Sequence, residues 1–320
     1  MNKEDLKIVF FGTPEFAVES LASMVDNGYN VVAVVTMPDK PAGRGHKMFQ
    51  SPVKLYATEK CIPVLQPVSL KDPAFVEELR SFGAQLFVVI AFRMLPEVVW
   101  QMPSLGTFNL HASLLPKYRG AAPINWAIIN GDTVSGVTTF FLKHEIDTGD
   151  IISQQEVEIT PDDNVGTLHD KLMHLGARLT TDTIAHIIAG DLKTTPQDAI
   201  PGDRVPCPAP KIFHDTCMID WNRDATDVHN LVRGLSPYPA ARATIDADNA
   251  VPAEAKIFTT AVADSTANGV PGKIVIDHGR MFVGCASGSV EILELQPTGK
   301  KRMATADWLR GARLVNPCMV

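Results

Sequence analysis

The sequence predicts a doubly wound, mainly parallel α/β sheet followed by a small C-terminal β-barrel. Three observations carry that expectation. Apolar runs of strand length alternate with helical segments through the first 189 residues. A stretch rich in proline then breaks the periodicity. Beyond it, short strands separated by turn residues dominate. Composition therefore divides the chain into a first domain over 1–189, a linker over 190–208 and a second domain over 209–320.

KIVFFG at 7–12 reads as a buried strand. TPEFAVESLASMVDNG reads as a helix with Thr13 as N-cap, Pro14 at its first position, Glu15 in its first turn and Gly28 closing it. VVAVVT follows as a strand. MPDKPAGRGHKMFQ, dense in glycine, proline and cations, reads as a long loop before a helix in SPVKLYATEK. Alternation continues through a helix at 73–82 and strands at 86–91 and 107–112. VTTFFLKHEIDTGDIISQQEVEI reads as two strands around an acidic turn, and 167–190 as a long helix. Pro196, Pro201, Pro206, Pro208 and Pro210 mark the linker. A helix over 225–234 precedes the strands KIFTTAV, GKIVID, RMFVGCA and SVEILELQP.

Composition narrows the function classes. The 320-residue chain carries a net charge of −7. Residues 206–320 hold 12 Lys/Arg and 12 Asp/Glu, leaving 17 against 24 for residues 1–205, so the negative excess lies wholly in the first part. Any nucleic acid must therefore be met by local basic patches. The five cysteines form no Cys-x-x-Cys pair, which points away from a disulfide framework or zinc site and towards a reducing cytosol. No signal-peptide pattern or membrane-length apolar run is present, so a soluble cytoplasmic protein is expected.

FNLHASLLPKYRG at 108–120 concentrates polar groups in an apolar region. If 107–112 is a strand, Asn109 and His111 share one face. There they offer an amide donor for a developing oxyanion and an ionisable ring for acid/base work. They would equally serve as satisfied polar residues at a strand end, and this segment alone leaves both readings open. HEIDTGD at 144–150 supplies Asp147, either as a turn residue or as a carboxylate that favours a charged imidazole and fixes its tautomer. The turn FFGTPEF has one glycine where a dinucleotide fingerprint needs three, and Pro14 lacks an N–H, which argues against an NAD site. Lys40, Arg44, His46, Lys47 and Lys54, and the GKKR run with Lys300 and Lys301, fit phosphate contacts or solvated loops. His46, His144, His169, His214 and His229 lack a catalytic pattern.

Taken in order, FFGTPEFAV, PDKPAGRGHK with SPVK, NLHASLLPKYRGAAPINWAIINGD, SGVTTFFL and HEIDTGDII resemble the successive motifs of the folate-dependent formyltransferases. IDW, VHNLVRGLSPYP, LQPTGKKRM and ADWLRG resemble the branch that acts on methionyl-tRNA. The resemblance implies a Rossmann-like formyltransferase domain and an OB-like barrel that binds tRNA. It implies formyl transfer from 10-formyltetrahydrofolate to the α-amine of initiator methionyl-tRNA, for translation initiation. It makes Asn109, His111 and Asp147 catalytic, and gives Phe92, Arg93, Met94, Leu95, Ser113, Leu114, Leu115 and Pro116 to the folate. Phe16, Lys40, Arg44, Lys47, Arg119, Lys300 and Lys301 fall to the tRNA substrate. AFRMLP departs from the more usual Ala-Tyr-Gly version of its segment. The resemblance implies no metal, no membrane, no stable protein partner and a monomer. The rival readings are an amino-sugar-nucleotide N-formyltransferase, which would share the folate and the Asn/His/Asp set, and a catalytically silent tRNA-binding protein.

Overall fold

A computed structural model describes residues 2–42, 47–200, 205–263 and 270–320. The chain runs through β1 (Ile8–Gly12), α1 (Glu15–Asp26), β2 (Val31–Val35), β3 (Lys40–Ala42), β4 (Lys47–Phe49), α2 (Pro52–Glu59) and β5 (Val64–Leu65). It continues with α3 (Pro73–Ser81), β6 (Leu86–Ile90), α4 (Glu97–Trp100), β7 (Thr107–His111), β8 (Lys117–Gly120), α5 (Pro123–Ile129), β9 (Val134–Phe141), β10 (Ile151–Glu158) and α6 (Val165–Ala189). After β11 (Cys207–Ala209) come α7 (Ala225–Leu235), β12 (Ala241–Ala247), β13 (Ala250–Ala263), β14 (Ile274–Asp277), β15 (Arg280–Gly284), β16 (Ser289–Pro297), β17 (Met303–Ala304), α8 (Thr305–Leu309) and β18 (Cys318–Met319).

Two compact units result. One contains Met1–Gly120, Ser135–Val157 and His169–Pro208; the other contains Ala121–Val134, Glu158–Leu168 and Ala209–Val320. In the first, the sheet order is β10-β9-β7-β6-β1-β2-β5. The pairs β1/β2, β2/β5, β1/β6 and β6/β7 are parallel, and β9 returns antiparallel to β7. The chain leaves β1 towards β2 and β5, then resumes at β6 on the opposite side of β1. That reversal opens a crevice at the strands' carboxyl ends, where doubly wound sheets bind ligands. Both faces of β1 and β6 are buried, which accounts for their unbroken apolar runs.

Helix starts follow local chemistry. Ser51 Oγ accepts the Lys54 N–H at 3.1 Å, and Asp72 Oδ1 accepts that of Ala74 at 3.0 Å, each with proline next in sequence. The first helix departs from the expected cap: Pro14, with extended ψ of 176°, is the N-cap, and Thr13 lies one residue outside it. The expected loop after β2 contains the short hairpin β3–β4. Its base is fixed by Asp39, which accepts from Lys54 Nζ at 2.5 Å and Gln66 Nε2 at 2.7 Å. These bonds, Lys54 first, hold the Asp39 carboxyl below its ordinary pKa.

The second unit wraps α7 with an antiparallel sheet ordered β14-β15-β16-β13-β12-β18, with β17 against β16. A bridge between Lys273 and Cys318, with Met319 N–H to Gly272 O at 2.7 Å, joins its two ends into a barrel. Val228, Val232, Trp221, Ile257, Leu295 and Met319 are among its core. Among the described residues, no helix is long and apolar enough to cross a membrane.

Candidate active site

β7 carries Asn109 and His111 to the carboxyl end of the first sheet. Asn109 stands opposite Phe140 and His111 opposite Thr138, so the two side chains share a face as their spacing predicts. His111 is buried, with 7% of its surface exposed. Its Nε2 lies 2.8 Å from Tyr118 O. A carbonyl oxygen can only accept, so Nε2 carries the proton. Tyr118 takes a left-handed φ of 62° as it presents this oxygen. Nδ1 is then the nitrogen left for exchange, and it faces Asp147 Oδ2 at 3.9 Å. A water, or an approach of about 1 Å, would complete that contact. The tautomer is thus set by a backbone carbonyl, where the sequence pointed to Asp147. The Asn109 amide is half-buried and bonds to no described residue, leaving it available to a ligand.

Asp147 occupies the turn between β9 and β10 with a left-handed φ of 55°. Its Oδ2 accepts the Gly120 N–H at 3.0 Å. Gly149 is required by close approach: a Cβ there would lie 1.6 Å from Phe141 O. Gln197 Nε2 donates to Asp147 O and Gly149 O, both at 2.8 Å. Lys143 Nζ pairs with Asp150 Oδ1 at 2.7 Å at the base of the turn.

Arg93, Met94 and Leu95 line a cleft of about 750 Å³ with Leu70 and Lys71 on its other wall. That volume suits a drug-sized or cofactor-sized ligand. The variant AFRMLP segment has its own anchor: Arg93 donates to Pro67 O at 2.5 Å and Val68 O at 2.9 Å. Desolvation lowers the pKa of its guanidinium. Phe92 packs edge-on to Phe11 at 5.8 Å, bridging the ends of β6 and β1. Met94 is 71% exposed, whereas Leu95 is buried. Ser113 to Pro116 are all buried. Thr138 Oγ1 bonds to Ser113 O at 2.6 Å and to Leu115 N at 3.1 Å, Gln154 Nε2 to Leu115 O at 2.8 Å, and Ser113 Oγ to Lys117 O at 2.7 Å. The turn is a rigid wall whose side chains face the protein.

A family model described as formyl transferase matches residues 6–184, and one described as formyl transferase, C-terminal domain, matches 211–313. This chain belongs to the formyl transferase family. The methionyl-tRNA formyltransferase of Bacteroides fragilis is 55% identical over 98% of this chain and 97% of its own length. That of Bacteroides thetaiotaomicron is 54% identical, covering 98% of both chains. Among solved structures, the sugar 3N-formyl transferase WlaRD, determined in the presence of dTDP and 5-N-formyl-THF, has a TM-score of 0.66 at 19% identity, covering 92% of this chain and 99% of its own. An N-formyltransferase from Helicobacter canadensis, in complex with folinic acid and dTDP-3-aminofucose, has a TM-score of 0.65 at 20% identity over 93% of this chain and all of that one. At such identity these two share the fold.

The remaining expected substrate residues of this formyl transferase are scattered. Phe16, on α1, is buried edge-on against His169 at 5.3 Å. Lys40 is exposed on β3; Arg44 lies outside the described residues, and Lys47 begins β4. Lys54, for which the sequence left a phosphate contact or a solvated loop open, is neutralised by Asp39. Arg119 donates through Nε and Nη2 to Gln197 Oε1 at 3.0 and 2.6 Å. Lys300 and Lys301 are exposed in the turn between β16 and β17. Of the other histidines, His229 is held by Thr260 Oγ1 at 2.9 Å within the barrel unit. Sequence reasoning missed Tyr118 O, the Gly120 N–H and Gln197. Two of these are backbone groups with no side-chain signature, and the third sits in a segment whose prolines read as linker.

Proposed function

We propose that this chain transfers the formyl group of 10-formyltetrahydrofolate to the α-amine of methionine esterified to initiator tRNA. The observation that carries the catalytic reading is the shared face of Asn109 and His111, with Nε2 committed to Tyr118 O and Nδ1 turned to Asp147. The acceptor follows from relatives up to 55% identical across nearly the full chain.

Bound folate supplies the formyl group and the nitrogen that leaves it. The Asn109 amide N–H stabilises the negative charge that develops on the formyl oxygen. The Asp147 carboxylate and His111 Nδ1 together take the proton that the attacking amine sheds and hold it for the departing nitrogen. Phe92 to Leu95 and the rigid turn Ser113 to Pro116 would hold the folate, the first through an apolar wall and open backbone groups, the second through shape. Residues 1–189 act as the catalytic domain, 190–208 as the connection and 209–320 as the tRNA-binding barrel. Arg44, with Lys40, Lys47, Arg119 and Phe16, would meet the tRNA substrate, and Lys300 and Lys301 would do so from the barrel. The cytoplasm is the compartment this substrate implies.

Incubation with 10-formyltetrahydrofolate and either methionyl initiator tRNA or a free amino-sugar nucleotide tests the assignment. Formylmethionyl-tRNA should form, with no sugar formylation above background. Preferential sugar formylation, or tRNA binding without transfer, would replace it.

A further inference from the structure

Gln197 belongs to a segment that composition marks as linker, yet it is 5% exposed and every hydrogen bond of its side chain goes to residues around the candidate site. A buried amide needs partners for both its ends. Here Nε2 donates to Asp147 O and Gly149 O, while Oε1 accepts from both Nε and Nη2 of Arg119. Carbonyls only accept and a guanidinium only donates, so no flipped amide could make these four bonds. The segment itself is fastened to the same hairpin. Thr195 and Ile151 exchange two backbone hydrogen bonds at 2.8 Å, and Ile200 packs against Leu115, Phe140 and Ile151.

We infer that Gln197 is a positioning residue for the acid/base pair: it clamps the Asp147 turn to the strand β8 that carries Arg119 and Gly120, and so sets the distance between Asp147 and His111. The inference rests on the reading of Asp147 and His111 as that pair. Asp147 holds a left-handed backbone, and its carboxylate is aimed by the Gly120 N–H. Gln197 grips the first residue through its carbonyl and the neighbour of the second through its guanidinium. Without it, the turn keeps the Asp147–Gly120 bond to β8 but loses the four that run through Gln197, and the 3.9 Å gap between Oδ2 and Nδ1 is less firmly fixed. The folate cleft is untouched, so towards folate the loss belongs in turnover.

Two substitutions separate the halves of the clamp. Gln197→Met keeps the volume and removes all four bonds; Gln197→Glu keeps an acceptor for Arg119 and removes the donor to the two carbonyls. Both should lower kcat on the order of 10- to 100-fold through misplacement, with KM for the folate within about twofold of wild type. In an Asp147→Asn background, Gln197→Glu should change kcat by less than about twofold, because the group it positions is already gone. Thermal melts accompany each variant, and Gln197→Glu carries the test if the methionine variant folds poorly. Wild-type kcat in Gln197→Glu, or losses that multiply in the double variant, would overturn the inference. A crippled Asp147→Asn beside an unimpaired Gln197→Glu would do so while leaving the site reading standing. A near-normal Asp147→Asn would remove both.

Discussion

A catalytic amide is useful only if the fold leaves it unspent. Asn109 meets that condition, since it sits half-buried beside a buried His111 and makes no hydrogen bond to a described residue. Asn109→Ala should therefore leave the melting temperature almost unchanged and lower turnover about 100- to 1,000-fold, the usual loss for one oxyanion donor. His111→Ala should lower turnover as sharply, but with some loss of stability, because it removes a buried side chain and its hydrogen bond to Tyr118 O. Steady-state kinetics beside thermal melts check both, and a normal kcat in either variant would break the assigned role. Asn109 and His111 were legible in one sequence because a period of two is a rule about side chains. The groups that aim His111 and Asp147, Tyr118 O and the Gly120 N–H, were illegible because every residue but proline carries a carbonyl and an N–H, and only the chain's path decides which is used.

Among elements, the apolar runs of β1 and β6 and the long helix α6 were legible from periodicity, as were α2 and α3 from Ser-Pro and Asp-Pro starts. The hairpin β3–β4 and the strand β18 were not, since strands of two or three residues carry no period and gain their pairing from the fold. β18 nevertheless closes the barrel, with Met319 only 2% exposed. Met319→Ala should cost about 2–5 kcal/mol in denaturant unfolding of the barrel unit, and a cost near zero would show that the closure carries little weight. The same unit has a built-in acid sensitivity. Burial, then the nearby Arg233, pushes His229 below its ordinary pKa of 6.5. The unfolded chain then takes up the proton first, so this contribution is complete above pH 6.5 and is lost as pH falls through the folded-state pKa. His229→Gln keeps an acceptor for Thr260 and does not titrate, so its stability should fall less than wild type on acidification below that pH. Parallel pH profiles for the two proteins would locate the sensitivity elsewhere.

For the molecule as a whole, charge poses the sharper question, because the proposed function sets a chain of net charge −7 against a polyanion. The first 205 residues carry 17 basic and 24 acidic side chains and on average repel tRNA, so docking depends on a few local cations. Their number is smaller than the sequence suggests, since Lys54 is already paired with Asp39. Lys300 and Lys301 stand exposed on the barrel unit, and Arg44 falls in the basic segment after β3. Each cation that touches a phosphate releases a counterion, so its removal lowers the slope of log affinity against log salt by about one. Arg44→Ala and the double substitution of Lys300 and Lys301 by Ala should each weaken methionyl-tRNA use and flatten that slope, by about one and about two respectively, with the KM for folate unchanged. Lys54→Ala should leave the slope as in wild type, because its charge is spent within the fold. A flattened slope for Lys54→Ala, or an unchanged one for Arg44→Ala, would mean that tRNA is met by a different set of cations.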